Sequence, residues 1–294
     1  MKILVLGSNG QLGKCLNDQL NITEYDVVYT SRKQIDISNF EATKKNFLDI
    51  SPNVVINATA YTAVDKAEKE HEAADLINHL AVANIAKISN QLGCWLIHIS
   101  TDYVFDGNSE VPYNEEKSTN PQNVYGITKL KGEQAIQISG CKHIIIRTSW
   151  IFSEYGNNFL KTMIRLGAER KKLDIINDQI GCPSYAQDIA GAIIRIIPQL
   201  NSSNKSGIYH YCGNHQCSWF DFAKIIFQIA KRYKLTTPSK LTSIKTTKFQ
   251  LPAKRPMYSV LNCSKIGNEF GVISSNWEEG INKAIEKIKN IEYS

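Results

Sequence analysis

The chain has no apolar run approaching the ~20 residues that a membrane-spanning helix needs; near its start, Met1-Lys2 leads only into the strand-length Ile3-Leu4-Val5-Leu6. That run is also too short for the core of a secretory leader, so the expectation is a cytoplasmic protein with no membrane partner. Cysteine is scarce and badly spaced for covalent work. The seven are an odd number and none falls in a C-x-x-C pair, which argues against a disulfide framework and for a reducing compartment. A strong excess of one charge is missing too. Against 28 Asp and Glu stand 34 Lys and Arg, a net of +6, and the densest basic patches, Arg170-Lys171-Lys172 and Lys254-Arg255, are short. This balance favours an anionic small molecule over nucleic acid. No repeat or low-complexity linker interrupts the 294 residues, enough for one large or two modest domains with a real core.

What is present in the first half is alternation. Five mostly apolar runs, Lys2 to Gly7, Tyr25 to Thr30, Val54 to Ala58, Trp95 to Ser100 and His143 to Thr148, read as buried parallel strands. Helix-length amphipathic segments separate them. Two of these, Glu72 to Leu92 and Gln122 to Ser139, stop at Gly93 and Gly140, where glycine accepts a left-handed cap. The expected fold is α/β, a doubly wound parallel sheet. Past Trp150 the composition is more mixed. Ser218 and Asp221 open a helix through Lys231 with a cap-like signature, and 276–290 reads as an amphipathic helix. The expected division is a nucleotide-binding domain over 1–150, to which 184–212 returns, and a smaller interleaved α+β substrate-binding lobe formed by 151–183 and 213–294, with a cleft between them.

The first strand runs straight into Gly7-Ser8-Asn9-Gly10-Gln11-Leu12-Gly13. Gly7 allows a tight reversal, Gly10 removes a Cβ from the path of a pyrophosphate, Gly13 lets helix and strand pack closely, and the helix start offers free N–H donors. A Rossmann-type dinucleotide site is expected there. At the end of the second strand, Tyr29-Thr30-Ser31-Arg32-Lys33 lacks the acid that would bond a ribose 2′-hydroxyl and carries a basic pair suited to a 2′-phosphate. NADPH is therefore the expected cofactor, with NADH the alternative.

Tyr125 and Lys129 stand four residues apart on a predicted helix and project from one face. A phenol with an ordinary pKa near ~10 is a poor acid at neutral pH, and a neighbouring ammonium is expected to draw it toward its working range. Ser100-Thr101-Asp102 falls at the carboxyl end of the fourth strand, where open parallel sheets contact ligands. From there the Thr101 hydroxyl can donate to a carbonyl oxygen that gains charge. Two histidines and two cysteines in His210 to Cys217 suggest a zinc site by composition, but their spacing across a Gly213-Asn214 turn gives no regular knuckle, and a structural role is expected. His71 and His79 are too far apart to chelate.

Taken together these residues resemble the extended short-chain dehydrogenases and, through longer strings, the dTDP-4-dehydrorhamnose reductase family. The strings are 7–13, Asn57 to Glu68, Ser100 to Gly107, Tyr125 to Glu133, Arg147 to Trp150, Asp178 to Ser184 and Arg255 to Leu261, spread over nearly the whole chain. The resemblance implies reduction of the C4 keto group of dTDP-4-dehydro-L-rhamnose to dTDP-L-rhamnose, a step toward cell-surface polysaccharide such as O-antigen. It implies Gly10, Gln11 and Leu12 along the pyrophosphate, Asp36 and Ile37 near the adenine, and Ala60, Tyr61 and Thr62 beside the nicotinamide half. Tyr125 is then the acid, Lys129 holds the ribose, Thr101 and Asp102 meet the sugar near C4, and Trp150 lines its pocket. Related 4,6-dehydratases need an Asp-Glu pair after the threonine, whereas Asp102 here precedes Tyr103. Ser184 and Cys182 depart from the family's usual turn. Some members are bridged into dimers by Mg2+ through an acid early in the first helix; that position is Cys15 here, so no metal is expected, although a homodimer is compatible. Two alternatives are a reductase of another dTDP-4-keto-6-deoxy sugar and a non-catalytic NADP-binding regulatory subunit resembling that of methionine adenosyltransferase.

Overall fold

A computed structural model describes residues 1–201 and 205–292. Its centre is a six-stranded sheet whose five leading strands are β1 (Lys2–Leu6), β2 (Asp26–Thr30), β3 (Val54–Asn57), β4 (Trp95–Thr101) and β5 (His143–Thr148); Gly207–His210 is the sixth. The order is β2-β1-β3-β4-β5 followed by Gly207–His210, and every pairing is parallel. All five strands expected from the sequence are present within a residue or so of their expected limits.

Alternation along β1 explains the layering. Ile3 and Val5 point to one face and join Leu16, Ile56, Ile97, Ile144 and Ile189 in a buried core beneath helix α1 (Gln11–Leu20) and the Ala186–Ile196 helix. Leu4 and Leu6 point to the other and join Phe47, Val55, Val82, Ile85, Leu96 and Ile136. A strand covered on both sides has no polar face, which is why its sequence is apolar throughout. Ile266, Phe270 and Val272, within the stretch assigned to the lobe from sequence, pack into the first of these cores.

A third core, with Phe152, Leu160, Met163, Phe222, Ile226, Trp277 and Ile281, lies among the Phe159–Glu169, Trp219–Arg232 and Trp277–Glu292 helices. Ser218 caps the Trp219–Arg232 helix by accepting from the Asp221 amide at 3.0 Å. Two short pairings help organise this region: Ile151–Phe152, just past β5, runs parallel to Ser184–Tyr185, and Ile180–Gly181 runs antiparallel to Cys217–Ser218.

The segment read as one helix from Glu72 is interrupted. His71–Asp75 and Ala81–Leu92 are α-helical, but Leu76–Leu80 between them has the wider π winding. Periodicity does not reveal the extra residue because the apolar stripe resumes in phase. The Gly93 stop is as expected, with φ of +67°, and the Gln122 helix begins at Val124, capped by Asn123. Among the described residues no helix is long and apolar enough to cross a membrane.

The turn after β1 tests the three glycines differently. Gly7 has φ of +81°, and a Cβ on Gly13 would lie 2.6 Å from Ser8 Cα and closer still to the Gly7 carbonyl, whereas one on Gly10 would meet only that carbonyl, at 3.3 Å. Gly13→Ala is therefore expected to cost about 1–3 kcal/mol by overpacking, and Gly10→Ala under about 1 kcal/mol as a weaker N-cap, measured by urea denaturation. Equal losses would contradict this account of the turn.

Candidate functional site

The carboxyl ends of β1, β3, β4 and β5 lie side by side at one edge of the sheet, and each supplies part of the site. Gly7 leaves β1 against the chain leaving β3: a Cβ on it would touch Thr59 Cγ2 at 2.9 Å. Helix α1 then starts at Gln11 with Gly10 as its N-cap, no side chain on its first amides and no acid in its first turn. An uncapped start preceded by a Cβ-free cradle is suited to an anion such as a pyrophosphate. Leu12 is buried in the core, so only its backbone faces that way. Gln11 instead ties the turn to the 153–158 loop, its Oε1 accepting from Ser153 Oγ at 3.0 Å and Asn158 Nδ2 at 2.8 Å.

At the far end of β2, Arg32 is 81 % exposed and pairs with Asp36 at 3.3 Å. Asp36 also accepts from the Ser38 amide and hydroxyl, and these bonds hold its carboxyl below the usual range. Ile37, placed near the adenine by resemblance, buries its side chain in the second core, which leaves only its backbone for a ligand. Ala60, Tyr61 and Thr62 follow β3 at the same edge. The Tyr61 amide donates to Asn78 Oδ1 at 2.8 Å, and Asn78 Nδ2 donates to the Tyr61 carbonyl and to Thr128 Oγ1, both at 3.1 Å. Asn78 sits in the π segment, so the widened turn is what aims an amide between the Tyr61 loop and the Val124–Ile138 helix. Sequence reading passed over it; a polar residue on the buried face of an apolar helix was the available signal.

Thr101 ends β4 and caps the short turn Asp102–Val104, accepting from the Tyr103 amide at 3.2 Å and donating to Asp102 Oδ1 at 3.1 Å. The Tyr125 phenol lies near enough to Thr101 for that hydroxyl to bear on its pKa, and its ring meets that of Tyr103 edge-on at 5.6 Å. Thr101, Asp102 and Tyr125 thus come together as expected. Lys129 is on the same helical face but is engaged below the phenol, its Nζ 3.0 Å from His98 Nε2 and donating to the Ile99 carbonyl at 2.6 Å.

The electrostatics run against the sequence expectation. Burial pushes the Tyr125 phenol up to about 12, opposed by the Thr101 hydroxyl and reinforced by Asp102, while burial pulls Lys129 down to about 8. The two shifts share one cause, since loss of water disfavours phenolate and ammonium alike. The ammonium expected to draw the phenol down does not bond to it. Burial also raises Asp102 to about 6, against the pull of the Ser259 and Thr101 hydroxyls; among the described residues its Oδ2 has no well-formed hydrogen bond.

Trp150 lies just past β5 with φ of +46°, an uncommon conformation for a bulky residue. Its ring stacks on Trp219 at 3.5 Å and 8°, and a Cβ on Gly181 would strike it at 2.5 Å. Beside Gly181, the Ile180 carbonyl accepts from the Ser259 amide at 2.8 Å, so Trp150 and Asp102 are connected through one short stretch of chain. Arg255 pins that stretch with two bonds to Asp65, at 2.5 and 2.7 Å. Neither Trp219 nor Ser259 was anticipated, because each meets the site only through the lobe. The His210 to Cys217 group has separate partners: His210 Nδ1 meets the Tyr113 carbonyl, His215 meets Asn214, and Cys212 Sγ lies 3.6 Å from Cys263 Sγ.

The family model described as the RmlD substrate binding domain matches residues 1–290. An Escherichia coli (strain K12) dTDP-4-dehydrorhamnose reductase is 41 % identical over 98 % of both chains. A dTDP-4-dehydrorhamnose reductase crystal structure from Clostridium acetobutylicum is 39 % identical with a TM-score of 0.92, covering 98 % of this chain and 100 % of that one. A Bacillus anthracis dTDP-4-dehydrorhamnose reductase in complex with NADP is 38 % identical with a TM-score of 0.89, covering 97 % and 99 %.

Asp102 carries a stability signature. Its folded carboxyl, near about 6, holds protons that the unfolded chain has released, so stability falls as pH rises from about 4 to about 6. Asp102→Asn is expected to unfold at higher urea than the parent at neutral pH, by on the order of 2–3 kcal/mol, and to lose that advantage near about pH 4. An advantage independent of pH would mean the carboxylate is not the strained species.

Proposed function

The chain belongs to the dTDP-4-dehydrorhamnose reductase family, and from that membership and the Thr101-Tyr125 pairing we propose that this edge of the sheet reduces the C4 ketone of dTDP-4-dehydro-L-rhamnose, with NADPH as the reductant. The observation that carries the reading is a buried phenol beside the threonine that ends β4, kept protonated by its loss of water. Bound at the α1 turn, the dinucleotide supplies hydride to the keto carbon; the protein's task is everything else.

Tyr125 holds the proton that the nascent alkoxide needs. A phenol kept fully protonated by burial is always loaded, and the oxygen of a ketone becoming an alkoxide is basic enough to take its proton. Thr101 has one hydroxyl proton. In the ligand-free protein it goes to Asp102; a carbonyl oxygen arriving between Thr101 and Tyr125 competes for it and gains charge stabilisation as the reaction proceeds. Asp102 and Trp150 position the sugar, and Lys129 anchors the nicotinamide ribose and returns a proton to Tyr125. Asn78 keeps the Tyr61 loop and the Tyr125 helix at fixed separation, which favours transfer between groups already in place. Arg32, exposed and paired with Asp36 among the described residues, can turn to a 2′-phosphate.

Tyr125→Phe should lower kcat by about 10²–10⁴-fold and leave NADPH affinity, followed by fluorescence titration, within a few-fold of the parent. Turnover close to the parent would remove Tyr125 from the reaction. Arg32→Ala should reduce the ratio of kcat/KM for NADPH over NADH by roughly tenfold, as expected from one lost phosphate contact of about 1.5 kcal/mol; an unchanged ratio would assign the preference elsewhere.

A further inference from the structure

Beneath Lys129 is a polar file that the reaction as described does not use. Asn57, at the end of β3, and His98, on β4, are both completely buried, and Lys129 is 1 % exposed. Asn57 Nδ2 faces His98 Nδ1 at 3.1 Å, and His98 Nε2 faces Lys129 Nζ at 3.0 Å. The direction of these bonds is fixed at one end. Asn57 Oδ1 accepts from the Thr59 backbone amide at 3.1 Å and from the Thr59 hydroxyl, and a backbone N–H cannot rotate away. The Asn57 amide must therefore present its NH2 to His98, which makes Nδ1 an acceptor and leaves the single proton of a neutral imidazole on Nε2. That proton points at Lys129 Nζ. An ammonium has no lone pair to receive it, whereas an amine does.

The surrounding charges agree. Buried ammonium groups are ordinarily paired, yet among the described residues no carboxylate bonds Nζ. Glu133, one turn on, is taken by Arg147 and Ser100. Asp102 is bonded to Thr101, Asp75 to His79 and Lys131, Asp65 to Arg255, and Glu68 to the Val124 amide. Burial, opposed by Glu133, already brings Lys129 down to about 8, and a hydrogen bond donated to the neutral form acts in the same direction.

We propose that His98, oriented by Asn57, is a positioning residue that holds Lys129 as the neutral amine in the ligand-free protein, so that Lys129 acquires its proton only when the file is rearranged. Protonating Nζ requires the imidazole proton to move from Nε2 to Nδ1 and the Asn57 amide to turn over, which strands the Thr59 amide. The relevance to turnover rests on Lys129 serving Tyr125; the protonation states themselves do not.

The first test is long-range 1H–15N correlation on the ligand-free full chain with labelled histidine, His98 being assigned by the signal missing from His98→Gln. The expected result is a neutral ring protonated at Nε2 from about pH 8 down to about pH 5. A ring protonated at Nδ1, or charged in that range, overturns the proposal. The second follows Lys129 Nζ in lysine-labelled protein. In His98→Gln the amide can turn its carbonyl to an ammonium, so the Lys129 midpoint should rise by about one pH unit or more, and the basic limb of kcat/KM should move with it. A midpoint that stays or falls refutes the role. These NMR readouts are taken without cofactor or substrate, so they stand or fall separately from the reductase reading.

Discussion

The site depends on how the Val124–Ile138 helix is fixed to the sheet, and that is set by a buried ion pair. Glu133 receives three bonds from Arg147, two from Nε at 3.0 and 3.2 Å and one from Nη2 at 2.6 Å, together with the Ser100 hydroxyl. Tyr125, Lys129 and Glu133 recur every four residues on one face. Locking the third of them to β5 and β4 therefore fixes the rotation at which the first two meet His98, Ile99 and Thr101. Such a pair need not add net stability, but once one member is present the other is needed to avoid a stranded buried charge. Gly126 and Gly132 allow the approach, since a Cβ on either would collide with the Tyr103 or the Asn78 carbonyl.

Desolvation is the common currency of the chemistry here. The same exclusion of water that keeps Tyr125 protonated strips Lys129 of its preference for the charged form and makes the Asp102 carboxylate costly. On the proposed reading, the group that gives a proton is thereby kept loaded, and the neighbour that would return one is brought toward neutrality. The expected picture of a lysine drawing a phenol toward phenolate treats the two as a pair in water. Buried together, with Nζ turned to an imidazole and a carbonyl, they respond first to their surroundings and only secondarily to each other.

Most of the frame was legible in the residues. Strand alternation, the glycine turn after β1, the glycine stop at Gly93 and the Ser218 cap are short-range features that steric and hydrogen-bonding rules expose directly. The π winding at Leu76–Leu80 was not, because an amphipathic stripe continues across it, and Asn78 went unread with it. Trp219 and Ser259 were equally silent, since a stack of two indoles and a hydroxyl beside a carboxylate are made by segments far apart in the chain.

What the sequence determined by itself is which groups share a helix face, which end a strand and which turn can cradle an anion, because these follow from 3.6- and 2-residue periods and from glycine's missing Cβ. Tertiary structure alone decided who donates to whom and which groups carry charge. His98 lies 31 residues from Lys129 and 41 from Asn57, and the protonation proposed for the ring and the amine follows from burial and from a neighbour's fixed backbone amide. Those are properties of the packed sheet edge, and no local pattern encodes them.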